Sequence, residues 1–126
     1  MELNDISGTV IECSVDIHRE LGPGLMESVY HRILTYEPRK RKFRVESEVP
    51  IPVEWDGHVI DESFRADMIV NERLLVELKS IEQTKPVHRK QTLTYLKLTG
   101  LRLALLINFG QELLKEGIHR LVNDLE

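Results

Sequence analysis

The chain has one cysteine, so an internal disulfide is excluded, and Cys13 reads as a small core residue of a protein kept in a reducing compartment. No apolar run reaches the roughly 18 residues a membrane-spanning helix requires. Met1-Glu2-Leu3-Asn4-Asp5 lacks a basic stretch leading into an apolar one, so no secretory signal is expected and a cytoplasmic location fits. His18, His31, His58 and His119 show no metal-ligand spacing among themselves, which argues against zinc. An excess of positive charge is also missing. The formal net charge of −4 argues against a general polyanion binder, whose affinity would rest on clustered lysine and arginine.

What is present suits one domain over residues 1–126: 41% hydrophobic residues, enough for a single core, and 30% charged ones for a solvated surface. Asn4-Asp5 can cap a first helix with Ile6, Val10, Cys13, Ile17 and Leu21 on one face, broken by Gly22-Pro23-Gly24. A second helix is predicted from about Leu25 to Glu37, with Met26, Val29, Tyr30, Ile33 and Leu34 as its apolar stripe and Pro38 as its stop. From Phe43 to Trp55 the period changes to two, and Pro50 and Pro52 make this an edge strand or an irregular one. Asp56-Gly57 signals a hairpin into a strand over about Ile60 to Val70, and Asn71-Glu72-Arg73 turns into Leu74 to Lys79. Thr84-Lys85-Pro86 opens a helix that Gly100 ends, and Leu103 to Ile107 reads as a buried strand parallel to the one ending at Lys79. A last helix is expected from Glu116 to Leu125, carrying Ile118, Leu121, Val122 and Leu125. The expected fold is therefore α/β, a mixed sheet flanked by helices, in the order α-α-β-β-β-α-β-α.

Within this order the strand Leu74-Leu75-Val76-Glu77-Leu78-Lys79 is unusual. Alternation puts Glu77 and Lys79 on one side of a mostly aliphatic strand, where an unpaired charge is costly. If Asp67 faces them from the neighbouring strand, two carboxylates and an ammonium gather, the equipment of metal-assisted phosphodiester hydrolysis. A Glu–Lys pair at a strand end with its tips in solvent is the plainer alternative. Gln91 and Tyr95 lie one turn apart on the following helix, and His88 shares their face. Two basic segments, Arg39-Lys40-Arg41-Lys42 with Arg44, and Lys85, Arg89 and Lys90 with His88, are candidates to meet phosphates, the second more so because it flanks the acids. Glu27 can serve simply by favouring the start of its helix, and Tyr30 reads as core packing.

Gly24-Leu25-Met26-Glu27-Ser28-Val29-Tyr30, Arg65-Ala66-Asp67, Val76-Glu77-Leu78-Lys79, Thr94-Tyr95-Leu96-Lys97-Leu98-Thr99-Gly100 and Leu106-Ile107-Asn108-Phe109 together resemble the GxxExxY family, a branch of the PD-(D/E)XK nuclease superfamily with a RecB-like core. The resemblance covers nearly the whole chain and implies a restriction-endonuclease-like fold. It implies that Asp67 and Glu77, with the backbone carbonyl of Leu78, hold Mg²⁺ or Mn²⁺, that Glu27 completes the metal site, and that Lys79 orients the attacking water or offsets charge on the phosphate. Gln91 and Tyr95 match the Gln-x-x-x-Tyr element that helps position DNA or the lysine, with His88, Arg89, Lys90 and Lys85 beside them toward substrate. Two departures stand out: Ala66 occupies the nominal proline position before Asp67, and the second helix turns basic at Glu37-Pro38-Arg39-Lys40-Arg41-Lys42. The expected activity is that of a metal-dependent nuclease, on DNA rather than RNA. The alternatives are an idle nucleic-acid- or protein-binding module on the same fold and an enzyme acting on RNA or nucleotides. An exposed edge near Val49 to Val53 and the small size are compatible with a homodimer.

Overall fold

The computed structural model describes residues 1–123, Glu62 and Ser63 by their backbone only. Two helices come first, α1 (Leu3–Leu21) and α2 (Glu27–Lys40), followed by strands β1 (Val45–Trp55), β2 (His58–Val70) and β3 (Leu74–Lys79). Helix α3 (Pro86–Thr99) leads to β4 (Leu103–Asn108), a single helical turn α4 (Leu114–Gly117) and β5 (Ile118–Val122). The strands form one five-stranded mixed sheet in the order β1-β2-β3-β4-β5, antiparallel except for β3 and β4. This is the α/β fold the order of elements predicts, consistent with a PD-(D/E)XK core.

Alternation along β3 and β4 divides the core in two. Leu74, Val76 and Leu78 with Leu103, Leu105 and Ile107 pack against Ile6, Val10, Cys13 and Ile17 of α1 and Tyr30 and Leu34 of α2. Leu75 and Ala104 turn to the opposite face and meet Leu96 of α3. A sheet covered on both faces accounts for the aliphatic runs of β3 and β4. The β1–β2 hairpin closes through Asp56 and Gly57, both with positive φ (50° and 78°), the conformation that an Asp-Gly turn favours. β1 is the edge strand, as its prolines require. Gly100 ends α3 in the left-handed conformation at φ 72°.

Expectations for three segments are corrected. Helix α1 begins at Leu3 rather than after an Asn4-Asp5 cap: Glu2 is the capping residue, and Asp5 reaches back to accept from its backbone N–H at 3.2 Å. Its last residue, Leu21, is exposed rather than part of the apolar face. Pro38 does not stop α2. A proline near a helix end costs one donor, its own carbonyl still accepts from Arg41 and Phe43 N–H at 3.0 and 3.1 Å, and its ring is buried. Met26, assigned to the apolar stripe, is the exposed N-cap. Finally, the terminal helix is only α4, and Ile118–Val122 is a strand, with His119 opposite Leu106 and Leu121 opposite Ala104. The apolar spacing of this segment suits either structure, but the outer edge of buried β4 needs hydrogen-bond partners and β5 supplies them. Leu125, assigned to that helix, lies outside the described residues.

Candidate active site

The β2–β3 ladder pairs Val70 with Leu74, Ile69 with Leu75 and Met68 with Val76. One residue further on, side chains replace backbone acceptors. The Asp67 N–H donates to Glu77 Oε2 at 2.7 Å, and the Leu78 N–H donates to Asp67 Oδ2 at 2.7 Å. Each carboxylate is thus anchored by the backbone of the other strand. Glu77 is only 6% exposed, and its carboxyl is pushed up to about 9, by burial first and then by the charge of Asp67. Lys79 opposes that shift through its field. Among the described residues it makes no ion pair with either acid, which leaves the half-buried ammonium available.

Glu27, the first residue of α2, joins this neighbourhood from the opposite layer. Its carboxyl is pushed up by partial desolvation and then by Asp67, while Lys79 and His31 pull the other way. The loop before it is tied down at several points. Tyr30 OH donates to Gly22 O at 2.5 Å and accepts from Leu25 N–H at 3.1 Å, and Ser80 Oγ donates to Leu25 O at 2.6 Å. Tyr30 itself is fully buried, as its reading as core packing requires. Among the described residues no three histidine, cysteine, aspartate or glutamate side chains gather into a metal-holding group, so Glu27 sits at the rim of the Asp67–Glu77 pair rather than within it.

Helix α3 borders the pair on its own face. Tyr95 stacks on Phe64 of β2, with ring centroids 3.7 Å apart and planes 11° apart. Its phenol is raised by burial and then by the charges of Glu77 and Asp67. Gln91, one turn earlier, is exposed. His88 is partly engaged in the fold: Nδ1 accepts from Lys85 N–H at 3.0 Å, and burial followed by Lys79 and Lys85 pushes its imidazole down. Lys85, Arg89 and Lys90 are exposed and carry no ion pair among the described residues. The other basic segment differs. Lys40 pairs with Glu37 at 3.0 Å, Arg41 with Glu12 at 3.2 Å and Arg44 with Glu72 at 2.6 Å, while Arg39 donates to Val45 O at 2.5 Å.

One supporting residue escapes the sequence reading. Asn108 ends β4 directly beside Lys79 and is fully buried. Its Oδ1 accepts from Ile81 and Gly110 N–H, each at 3.0 Å, and its Nδ2 donates to Thr84 Oγ1 at 3.1 Å and Gln111 Oε1 at 3.2 Å. This amide ties Ile81 and Thr84, in the segment between Lys79 and α3, to Gly110 and Gln111. Its signal in the sequence is a polar residue closing the run Leu103–Ile107, a place where burial demands full pairing.

The two carboxylates suit a hard divalent cation, both offering oxygen, with a buried carboxylate beside a like charge that such an ion would offset. The family model described as PD-(D/E)XK nuclease superfamily matches residues 4–121. No curated protein and no solved structure matches the chain.

Proposed function

The chain belongs to the PD-(D/E)XK nuclease superfamily, and on that premise we propose that it is a metal-dependent nuclease of the GxxExxY branch, hydrolysing phosphodiester bonds in DNA. The observation that carries the reading is the cross-strand pair Asp67–Glu77, each acid fixed by a backbone donor, with Lys79, which makes no ion pair among the described residues, two residues further along the same strand face. The branch assignment is supported by Gly24-x-x-Glu27-x-x-Tyr30, whose tyrosine anchors the loop that presents its glutamate.

Asp67, Glu77 and the carbonyl of Leu78 would hold Mg²⁺ or Mn²⁺, which when bound polarises the scissile phosphate and makes water a nucleophile near neutral pH. Glu77 gives up its proton to serve there, which couples loading to pH. The Lys79 ammonium donates hydrogen bonds to the attacking water or to a non-bridging phosphate oxygen, where negative charge builds. Glu27 adds a third carboxylate at the rim. Tyr95 and Gln91 line the approach from α3, and Lys85, Arg89 and Lys90 meet the backbone of the strand. The buried free thiol of Cys13 suits a cytoplasmic setting, and no helix among the described residues is long and apolar enough to cross a membrane.

The test is cleavage of labelled single-stranded, double-stranded and branched DNA, and of RNA, in Mg²⁺ or Mn²⁺, with Lys79→Ala and Asp67→Asn alongside. Cutting of DNA by the wild type that both substitutions abolish establishes the nuclease. A folded, metal-bound wild type that cuts nothing replaces it with a binding module. Preference for RNA moves the substrate.

A further inference from the structure

Beyond Glu27, the exposed side of α2 continues away from the acids. Ser28, His31, Arg32 and Thr35 line a cavity of about 400 Å³, closed on the other side by Ser47 and Glu48 of β1. Strand register places the β1 wall of this cavity one strand away from Asp67. Ser47 pairs with Met68 and Val49 with Ala66, so Glu48 stands opposite Asp67. The Glu27 carboxyl responds to the charges of both Asp67 and His31. The walls are tied by His31 Nε2 and Ser47 Oγ, 2.9 Å apart. Glu48 takes a φ of 51°, a left-handed conformation uncommon for a side chain-bearing residue within a strand.

Arg32 is the decisive group. Among the described residues it has no ion pair and no side-chain hydrogen bond, whereas Arg41 and Arg44 are both paired with carboxylates. We propose that this cavity is a subsite for one non-scissile phosphate of the nucleic-acid strand, gripped by Arg32, with Ser28, His31 and Ser47 as hydrogen-bonding partners. The inference rests on the nuclease reading of the acid pair. A guanidinium fork matches the geometry of phosphate oxygens, and the volume accommodates a nucleotide-sized group. Glu48 on the facing wall repels a second anion, so the subsite takes a single phosphodiester rather than a pyrophosphate.

The experiment compares wild type, Arg32→Ala and Arg32→Lys. Binding of labelled DNA is read by fluorescence anisotropy in EDTA over a range of salt, cleavage is read in Mg²⁺ or Mn²⁺, and folding is checked by circular dichroism. Arg32→Ala is expected to raise Kd roughly tenfold and to lower the slope of log Kd against log salt by about one, with Arg32→Lys restoring the slope but not all of the affinity. An unchanged Kd and slope in Arg32→Ala, with a wild type that binds and cuts, overturns the subsite and leaves the nuclease reading standing. Lost cleavage at unchanged Kd overturns the subsite as well. A wild type that neither binds nor cuts any polymer overturns the nuclease reading, and the subsite with it.

Discussion

Tyr30 stacks on Phe109 with ring centroids 4.5 Å apart and planes 6° apart, and this contact joins the helix that carries Glu27 to the strand layer that carries the acids. Phe109 follows β4 directly, and its N–H donates to the carbonyl of Lys79 at 2.8 Å. Lys79, Phe109, Tyr30 and the Gly22–Leu25 loop are therefore one mechanical unit.

Tyr30→Phe tests that unit, because it keeps the stack and deletes only the hydroxyl. Gly22 O and Leu25 N–H each lose a partner, at a cost of about 1–3 kcal/mol in a urea unfolding experiment. Cleavage is expected to fall further than stability does, since the loop that presents Glu27 loosens. A variant as stable as wild type would mean that the hydroxyl bonds contribute nothing to holding the loop.

Conservative changes at the acids separate chemistry from fold. Asp67→Asn and Glu77→Gln retain an oxygen acceptor for the Leu78 and Asp67 N–H groups, so both proteins should fold. Both lose the carboxylate charge, and cleavage is expected to drop at least about 100-fold, as for the loss of other charge-stabilising groups. Calorimetry with Mg²⁺ or Mn²⁺ should show weakened metal binding in parallel. Full activity in either variant would take that acid out of the site.

The raised Glu77 carboxyl gives a pH signature with a definite sign. In the folded, metal-free protein Glu77 keeps its proton up to about 9, whereas the ordinary carboxyl releases it near 4.5. Between those values the folded state binds the extra proton, so stability is fully present at the acid end and falls as pH rises through the window. Thermal unfolding in EDTA should show Tm falling from about pH 5 to about pH 9, and Glu77→Gln should flatten that fall. Mg²⁺ competes with the proton, so its stabilisation should grow with pH. A Tm that rises across the window would contradict a protonated Glu77.

Much of the fold was legible because local and tertiary signals agree there. Asp56-Gly57, the aliphatic run Leu74–Leu78 and the Pro86 to Gly100 limits of α3 each carry one dominant cue. The reading failed where two cues compete. Pro38 discourages helix locally but packs in the core, and Ile118–Val122 suits a helix by spacing and a strand by its neighbour's unpaired edge. At the site, alternation alone puts Glu77 and Lys79 on one side, but the crossed bonds to Asp67 and Leu78 N–H depend on where the ladder stops. The role of Asn108 was not legible for the same reason: its partners Ile81, Thr84 and Gln111 converge only in three dimensions.

The two basic segments, alike in the sequence, should behave differently in binding. Lys85, Arg89 and Lys90 are exposed at the start of α3 without ion pairs among the described residues, on the helix whose Tyr95 borders the acids. Lys40, Arg41 and Arg44 each already hold a carboxylate, so a phosphate must displace Glu37, Glu12 or Glu72 before it gains anything. These exposed pairs are weak, but displacing them still subtracts from whatever a phosphate gains. A triple substitution of Lys85, Arg89 and Lys90 by alanine is expected to reduce the slope of log Kd against log salt by up to about three, one for each phosphate no longer neutralised. The matching triple at Lys40, Arg41 and Arg44 should change it by less than about one. Anisotropy titrations over salt, run on the two variants side by side, decide it. A larger effect from the second triple would place the nucleic acid across the C-terminal end of α2 instead, and would move the path of the strand away from α3.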